Sequence, residues 1–237
     1  MSVQEFIKKL ISLLKRKGIK GVYRKVLEKL HIVPAQNHFL VDFDFLVDNT
    51  KIPLSQREYE LHKEDEVKIL NWVIPEMGKG SGGHLNIFRF VSLLENMGFH
   101  SRIYLFKAPS LHDNESVRDF LKENFPILDE RVEAYWDVKY AEFAHATIAT
   151  SWETAYFVKN FDNTISKFYF VQDYEPFFFA HGSYYELAKN TYRFGLRGIT
   201  AGDWIKDKLI TEFGMKADSF GFSYDKDLYK PLKKKGN

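Results

Sequence analysis

The sequence predicts an α/β fold in which a doubly wound parallel sheet follows an α-helical N-terminal extension. From Val67 onward, short apolar runs of strand length alternate with segments of helical periodicity, which is the pattern of βαβ units. A glycine cluster at residues 78–83 joins the first of these runs to the first helix. The 237 residues are 45% hydrophobic and 28% charged, a composition typical of a globular protein with a substantial core.

The N-terminal extension, residues 1–36, is basic and amphipathic. Apolar residues recur at helical spacing in residues 2–17 and again in residues 19–30, so two short helices are predicted. Residues 1–30 hold nine Lys and Arg against two Glu, a net charge of +7, whereas the rest of the chain sums to −5. Two interpretations stay open. The helices pack on the body of the protein, or they attach to an anionic membrane surface.

The remaining chain is divided by its pattern into an arm and one domain. Residues 37–66 are predicted to be a linker or arm, with a helical turn within 49–66, and residues 67–225 to be a Rossmann-like domain. Its strands are predicted at 67–74, 102–106, 133–138, 146–150, 167–171, 198–200 and 219–222. Its helices are predicted at 84–97, 116–124, 152–159, 184–194 and 204–213.

Composition excludes several kinds of site. The chain has no cysteine, which excludes disulfides, thiolate zinc sites, iron–sulfur clusters and cysteine nucleophiles. Its eight histidines are scattered without metal-ligand spacing, so no metal is expected. The positive charge is local, so no nucleic acid partner is expected. No run approaches 18 apolar residues, so no membrane-spanning helix is predicted.

Ligands of doubly wound sheets bind beyond the carboxyl ends of the strands, and this rule selects the loops 75–84, 107–113, 150–153 and 172–183. In the first loop, Gly82 and Gly83 allow close approach of the backbone, and the amides at the start of the helix favour an anion. Lys79 and His84 are candidates for additional side-chain contacts. A tight turn that only packs helix against strand is the structural alternative.

The glycine cluster also matches the dinucleotide fingerprint G-x-G-x-x-G, through Gly78, Gly80 and Gly83. That fingerprint requires an acidic residue at the end of the second strand, where this chain has Phe106 and Lys107. A positively charged side chain there would suit only a 2′-phosphate. The match to an NAD(P) site is therefore weak.

The loop after the predicted strand 167–171 combines hydrogen-bonding and aromatic side chains. Asp173, Tyr174 and Glu175 are candidate substrate-binding residues, because carboxylates bind sugar hydroxyls and rings stack on sugar faces. Phe177 to Phe179 either take part or fill the core or a domain interface. Ser151 and Trp152 begin the helix after the strand 146–150, where a simple N-cap is favoured over a ligand contact.

These segments resemble the N-terminal half of GT-B glycosyltransferases of family 4. The resemblance begins with WVIPEMGKGSGGHLNIFRFVSLLENMGFHSRIYLF, a strand, glycine-rich loop, helix and second strand. The later segments ATSWETAYFV, YFVQDYEPFFF, GITAGDWIKDKL and FSYDKDLYKP resemble rhamnosyltransferases of the WsaF type, which build bacterial surface polysaccharides. Together they run in order from about Val67 to Pro231.

The resemblance implies an acceptor-binding domain facing a nucleotide-sugar-binding domain across a cleft. It places Gly82 and Gly83 near the donor phosphates and Asp173, Tyr174 and Glu175 on the acceptor side. It further implies a retaining transfer from a donor such as dTDP-rhamnose to a glycan or lipid-linked sugar. Neither a metal nor a cofactor is implied.

The family's C-terminal domain, with its pair of donor-site glutamates, is expected to begin after Pro231, and this sequence stops at Asn237. Residues 226–237 are therefore expected to begin an interdomain linker, with the donor domain absent and the isolated chain inactive. The catalytic residues stay unassigned. We expect a cytoplasmic protein attached to the inner membrane face through residues 1–30. A non-catalytic glycan-binding or scaffold domain and an NAD(P)-dependent oxidoreductase are the alternatives.

Overall fold

The structure, a computed structural model, describes residues 50–221. The predicted helices of residues 1–36, the segment 37–49 and the C-terminal residues 222–237 lie outside this range. Within it, helices and strands alternate along the chain. In order they are α1 Gln56–His62, β1 Ile69–Pro75, α2 Gly82–Asn96, β2 His100–Phe106, α3 Asn114–Asn124, β3 Glu133–Tyr135, β4 Ala144–Ala149, α4 Trp152–Asn160, β5 Thr164–Val171, α5 Ser183–Asn190, β6 Arg197–Thr200, α6 Asp203–Phe213 and β7 Ala217–Ser219. Three short 3₁₀ helices accompany them, Val138–Tyr140, Glu175–Phe178 and Thr191–Arg193.

The strands form one seven-stranded sheet in the order β3-β2-β1-β4-β5-β6-β7. Every neighbouring pair is parallel. From β1 the chain adds β2 and β3 on one side, and it then returns to add β4 to β7 on the other side of β1. The predicted doubly wound Rossmann-like sheet is confirmed, with its switch point between β1 and β4.

The core lies on both faces of the sheet, as the apolar strands require. Trp72 and Ile74 of β1 share one core with Phe88 and Val91 of α2. Val73, between them in β1, is fully buried and points to the opposite face, where α4 packs on β1 and β4. The apolar composition of the strands follows from this arrangement, because helices cover both faces of a parallel sheet.

The last predicted strand is wrong in position. The apolar run favoured 219–222, but β7 is Ala217–Ser219, and Gly221 turns the chain with a φ of 73°. Ala217 pairs with Gly198 of β6, where a Cβ on the glycine would lie 3.0 Å from the Cβ of Ala217. Close fit between small residues, rather than hydrophobicity, sets this pairing. The predicted strand at 133–138 is likewise shorter, because Asp137 caps a 3₁₀ turn.

The helical turn predicted within residues 49–66 is present as α1, which is bound to the sheet. Ile52 forms a parallel bridge with Phe161. Glu58 Oε2 accepts hydrogen bonds from the backbone N–H of Phe143 (3.1 Å) and from Asn163 Nδ2 (2.8 Å). Residues 51–62 therefore lie against the chain that enters β4 and β5. Within residues 50–221, no helix is long and apolar enough to span a membrane.

Candidate functional site

The four loops selected from the sequence lie at one edge of the sheet, because each follows the carboxyl end of a parallel strand. An open pocket with a volume of about 230 Å³ lies there. Its wall is formed by the first two turns of α2 together with the residues that directly follow β5, β6 and β7. The lining residues are Gly82, Gly83, Asn86, Arg89, Gln172, Ala201, Phe220 and Gly221.

The pocket joins the glycine loop to the loop after β5. Gln172 Nε2 donates to the carbonyl of Gly83 (3.2 Å), and Gln172 Oε1 accepts from Asn86 Nδ2 (3.0 Å). A Cβ on Gly83 would lie 3.5 Å from Gln172 Nε2, so a larger side chain there would enter the pocket. The absence of a side chain leaves the start of α2 open to a ligand.

The local chemistry of α2 suits an anion or a hydroxyl-rich group. Ser81 caps the helix by accepting a hydrogen bond from the backbone N–H of His84 (3.4 Å). Amides of a first helical turn have no partner within their helix, and the helix dipole adds positive potential. Arg89 contributes a positive charge to the same wall, and Asn86 a neutral amide.

Lys79 and His84 do not line this pocket. Lys79 is exposed, and its Nζ lies 3.9 Å from a carboxylate oxygen of Glu123 in α3. Nδ1 of His84 lies 2.8 Å from Oγ of Ser81, and the His84 ring contacts the ring of Phe88. Burial lowers the pKa of His84 below its ordinary value. Lys79 is thus paired with α3, and His84 packs against its own helix.

The three candidates after β5 differ in exposure. Asp173 is exposed and accepts a hydrogen bond from the backbone N–H of Tyr174 (2.7 Å). Tyr174 is 2% exposed and stacks on Tyr192, with ring centroids 5.5 Å apart. Burial raises the pKa of Tyr174 well above its ordinary value. Only Asp173 of this pair is presented to solvent.

Glu175 is buried and bonds inward through both carboxyl oxygens. Oε2 accepts from the backbone N–H of Trp152 (2.8 Å), and Oε1 bonds the hydroxyl of Tyr169. Burial raises the pKa of Glu175 to about 8. The carboxyl group therefore fastens the loop after β5 to the start of α4.

Ser151 and Trp152 complete this buried connection. Ser151 and Thr154 form a reciprocal capping box at the start of α4. Trp152 is 3% exposed, and its ring meets that of Phe179 edge-on at 5.9 Å. Trp152 and Glu175, predicted separately, are thus in direct contact, although neither is among the residues that line the pocket.

Six pocket residues were not singled out from the sequence: Asn86, Arg89, Gln172, Ala201, Phe220 and Gly221. Asn86 and Arg89 are one turn apart on α2, directly after the glycines, and this spacing was an available signal. Gln172 follows β5 immediately, the position where ligand-binding residues are expected. Ala201 follows β6 in the same way but has no polar side chain, and Phe220 and Gly221 follow β7, whose position the sequence misplaced. Within the described residues, no group of three His, Asp or Glu side chains is placed to hold a metal ion.

Comparison with protein-family models finds no match. One curated relative is the O-antigen biosynthesis protein RfbC of Myxococcus xanthus, 26% identical over 186 residues, covering 72% of this chain. The aligned region is 14% of that protein, so the chain spans only a small part of it. Among solved structures, a dodecameric FMN-dependent UbiX-like decarboxylase from Escherichia coli O157:H7 is 8% identical, with a TM-score of 0.26, over 68% of this chain and 86% of that one.

Proposed function

We propose that this chain provides the acceptor-binding, Rossmann-like half of a nucleotide-sugar-dependent glycosyltransferase of bacterial surface polysaccharide synthesis. The observation on which the proposal rests is the pocket in which the glycine start of α2 meets Gln172. Transfer of rhamnose from a dTDP-sugar, with retention of configuration, is the specific form of this proposal. It follows from the resemblance of the sequence to family 4 enzymes.

The chemistry of the pocket supports a sugar ligand with a nearby phosphate. The amides of Asn86 and Gln172 both donate and accept hydrogen bonds, as sugar hydroxyls do. The start of α2 and the guanidinium of Arg89 favour phosphate oxygens. In this arrangement the chain binds and orients its ligands, and no residue of the pocket is assigned a role in breaking the donor bond.

The similarity to an O-antigen biosynthesis protein also supports a sugar-biosynthesis or glycosyl-transfer family. Because the chain spans 14% of that protein, the activity of the whole relative is not transferred to it. Polysaccharide biosynthesis is the coarser function that this similarity supports. The rhamnosyl donor and the polysaccharide acceptor are the finer part of the proposal.

Titration of the chain with dTDP-rhamnose, rhamnose, rhamnose oligosaccharides and NADP⁺, followed by calorimetry, tests the function. We expect saturable binding of the sugars, weakened about tenfold or more by Gln172→Ala and by Gly83→Leu. Gln56→Ala is the matched control, because Gln56 lies on α1 and bonds only Glu60 among the contacts described.

The result decides between the candidates. Sugar binding that responds to the two pocket variants, but not to the control, supports the proposal. Saturable binding of NADP⁺ without any response to sugars overturns it in favour of a dinucleotide enzyme. Lack of binding to every probe also overturns it.

A further inference from the structure

Three large aromatic side chains that follow β5 and β6 are exposed to solvent. Phe177 is 62%, Phe178 63% and Trp204 59% exposed. Phe177 and Phe178 lie in the 3₁₀ helix after β5, and Trp204 is the second residue of α6, after β6. Exposed rings that cluster usually mark a binding surface.

The rings of Phe177 and Trp204 share one cation. Lys208 Nζ lies 5.9 Å from the ring centroid of Phe177, 6.0 Å from that of Trp204 and 4.5 Å from that of Tyr174. An ion pair with Glu212 (2.6 Å) holds the ammonium in place. We call Phe177, Trp204 and Lys208 the aromatic platform.

The buried layer beneath the platform fixes its shape. Phe177 meets Tyr174 edge-on at 4.7 Å, and Tyr174 stacks on Tyr192. Tyr192 in turn packs edge-on against Phe213 of α6, at 5.2 Å. Aromatic contacts therefore tie the loop after β5 to α6, and a ligand of the platform meets rings that are already ordered, which lowers the entropic cost of binding.

The charged side chains around the platform favour a neutral ligand over an anionic one. Helix α6 has three exposed carboxylates, Asp203, Asp207 and Glu212, each paired within 4 Å with Lys206 or Lys208, and the exposed Asp173 precedes the platform loop. Such a surface does not attract anionic lipid. Rings flanked by carboxylates suit a neutral glycan, because the C–H faces of a sugar stack on rings while its hydroxyls donate to carboxylates.

The platform and the pocket lie at the same edge of the sheet, since both follow the carboxyl ends of the neighbouring strands β5 and β6. Gln172 lines the pocket five residues before Phe177, and Ala201 lines it three residues before Trp204. We propose that the platform binds sugar units of a polymeric acceptor whose terminal unit occupies the pocket. This inference rests on the proposed function and extends it, because it requires an acceptor chain of several sugars rather than a single sugar.

Fluorescence gives an assay, since Trp204 is the exposed one of the four tryptophans, all of which lie in the described residues. Trp72 and Trp152 are 1% and 3% exposed and Trp136 is half-buried, so the signal of Trp204 is taken as the difference from Trp204→Ala. The probes are rhamnose and rhamnose oligosaccharides of two to six units. We expect the hexasaccharide to shield Trp204 from acrylamide and to bind at least tenfold more tightly than rhamnose. Phe177→Ala and Trp204→Ala should weaken hexasaccharide binding about fivefold or more, measured by calorimetry, and leave rhamnose binding unchanged.

Ile165→Ala is the matched control, because Ile165 is 51% exposed near the amino end of β5, away from the pocket edge. Equal affinity for rhamnose and hexasaccharide, or no effect of Trp204→Ala, overturns the platform. If Gln172→Ala still weakens rhamnose binding in that case, the proposed function stands without it. If no saccharide binds, both proposals fail.

Two further measurements test other occupants of the platform. Vesicles of phosphatidylcholine, with and without phosphatidylglycerol, should leave the emission of Trp204 unchanged. A blue shift of this emission that is lost in Phe177→Ala would overturn the inference in favour of a lipid surface. Sedimentation velocity should give the same association state for the parent chain and Trp204→Ala. Loss of a dimer on this substitution would overturn it in favour of self-association.

Discussion

Replacing Glu175 by Gln should make the fold more stable at alkaline pH. The carboxyl group is 8% exposed and accepts the backbone N–H of Trp152 while it bonds Tyr169. Glutamine keeps both contacts, since its carbonyl accepts from Trp152 and its amide donates to the oxygen of Tyr169. It therefore reproduces the protonated carboxyl group without a proton that titrates.

The size of the effect follows from the pKa of Glu175, which burial raises from 4.5 to about 8 in the fold. The negative charges of Glu153 and Asp173 also raise it. Below pH 4.5 both folded and unfolded chains hold the proton, so the free energy of unfolding is unaffected by this group. Between pH 4.5 and 8 the unfolded chain releases the proton first, and each pH unit costs the fold about 1.4 kcal/mol. The upper bound for the loss above pH 8 is about 5 kcal/mol.

Urea unfolding of the parent chain and the Gln variant between pH 5 and 9 measures this difference. The two chains should be similarly stable near pH 5, and the variant should gain an increasing advantage up to pH 8 and a constant one above it. Glu186→Gln is the control, because Glu186 is exposed on α5 and pairs with Lys189 at 3.6 Å. A difference between parent and Glu175→Gln that stays within about 1 kcal/mol across the whole range would refute the reasoning.

Three other perturbations have defined outcomes. Gly198→Ala should lower the free energy of unfolding, measured with urea, by about 1–3 kcal/mol, because the new Cβ would lie 3.0 Å from Ala217 Cβ. Gly182→Ala is the control and should have little effect, because its Cβ would lie 3.9 Å from the nearest atom. Equal losses of stability in the two variants would contradict this. Glu58→Ala should cost about 1–3 kcal/mol, since two donors lose their acceptor, and an unchanged urea midpoint would count against that contact. Removing residues 1–30 should abolish sedimentation with anionic vesicles, and equal binding by both chains would exclude that attachment.

Much of the fold was predictable because its signals are local. The runs around Ile69–Pro75 and Ala144–Ala149 are apolar and bounded by loop residues, as strands covered on both faces must be. The start of α2 is also a local signal, because its cap Ser81 directly precedes Gly82 and Gly83. These patterns need no knowledge of distant contacts, and they were enough to predict which edge of the sheet carries the candidate site.

Long-range packing decided the remainder. The position of β7 depends on the fit of Ala217 against Gly198, which no apolar run records. Glu175 reads as an exposed acid in the sequence, but the fold surrounds it with Trp152 and Tyr169 and so raises its pKa.

The sequence by itself determined the alternation of strands and helices, the glycine start of α2 and the edge of the sheet at which the candidate site lies. Only the tertiary structure decided which residues form the pocket and which rings stay exposed beside it. Gln172 meets Gly83 across 89 positions of sequence, and Phe177 meets Trp204 around Lys208. Neighbours of this kind are set by strand order and side-chain packing, which involve the whole chain at once, whereas hydrophobic periodicity reports only on each segment.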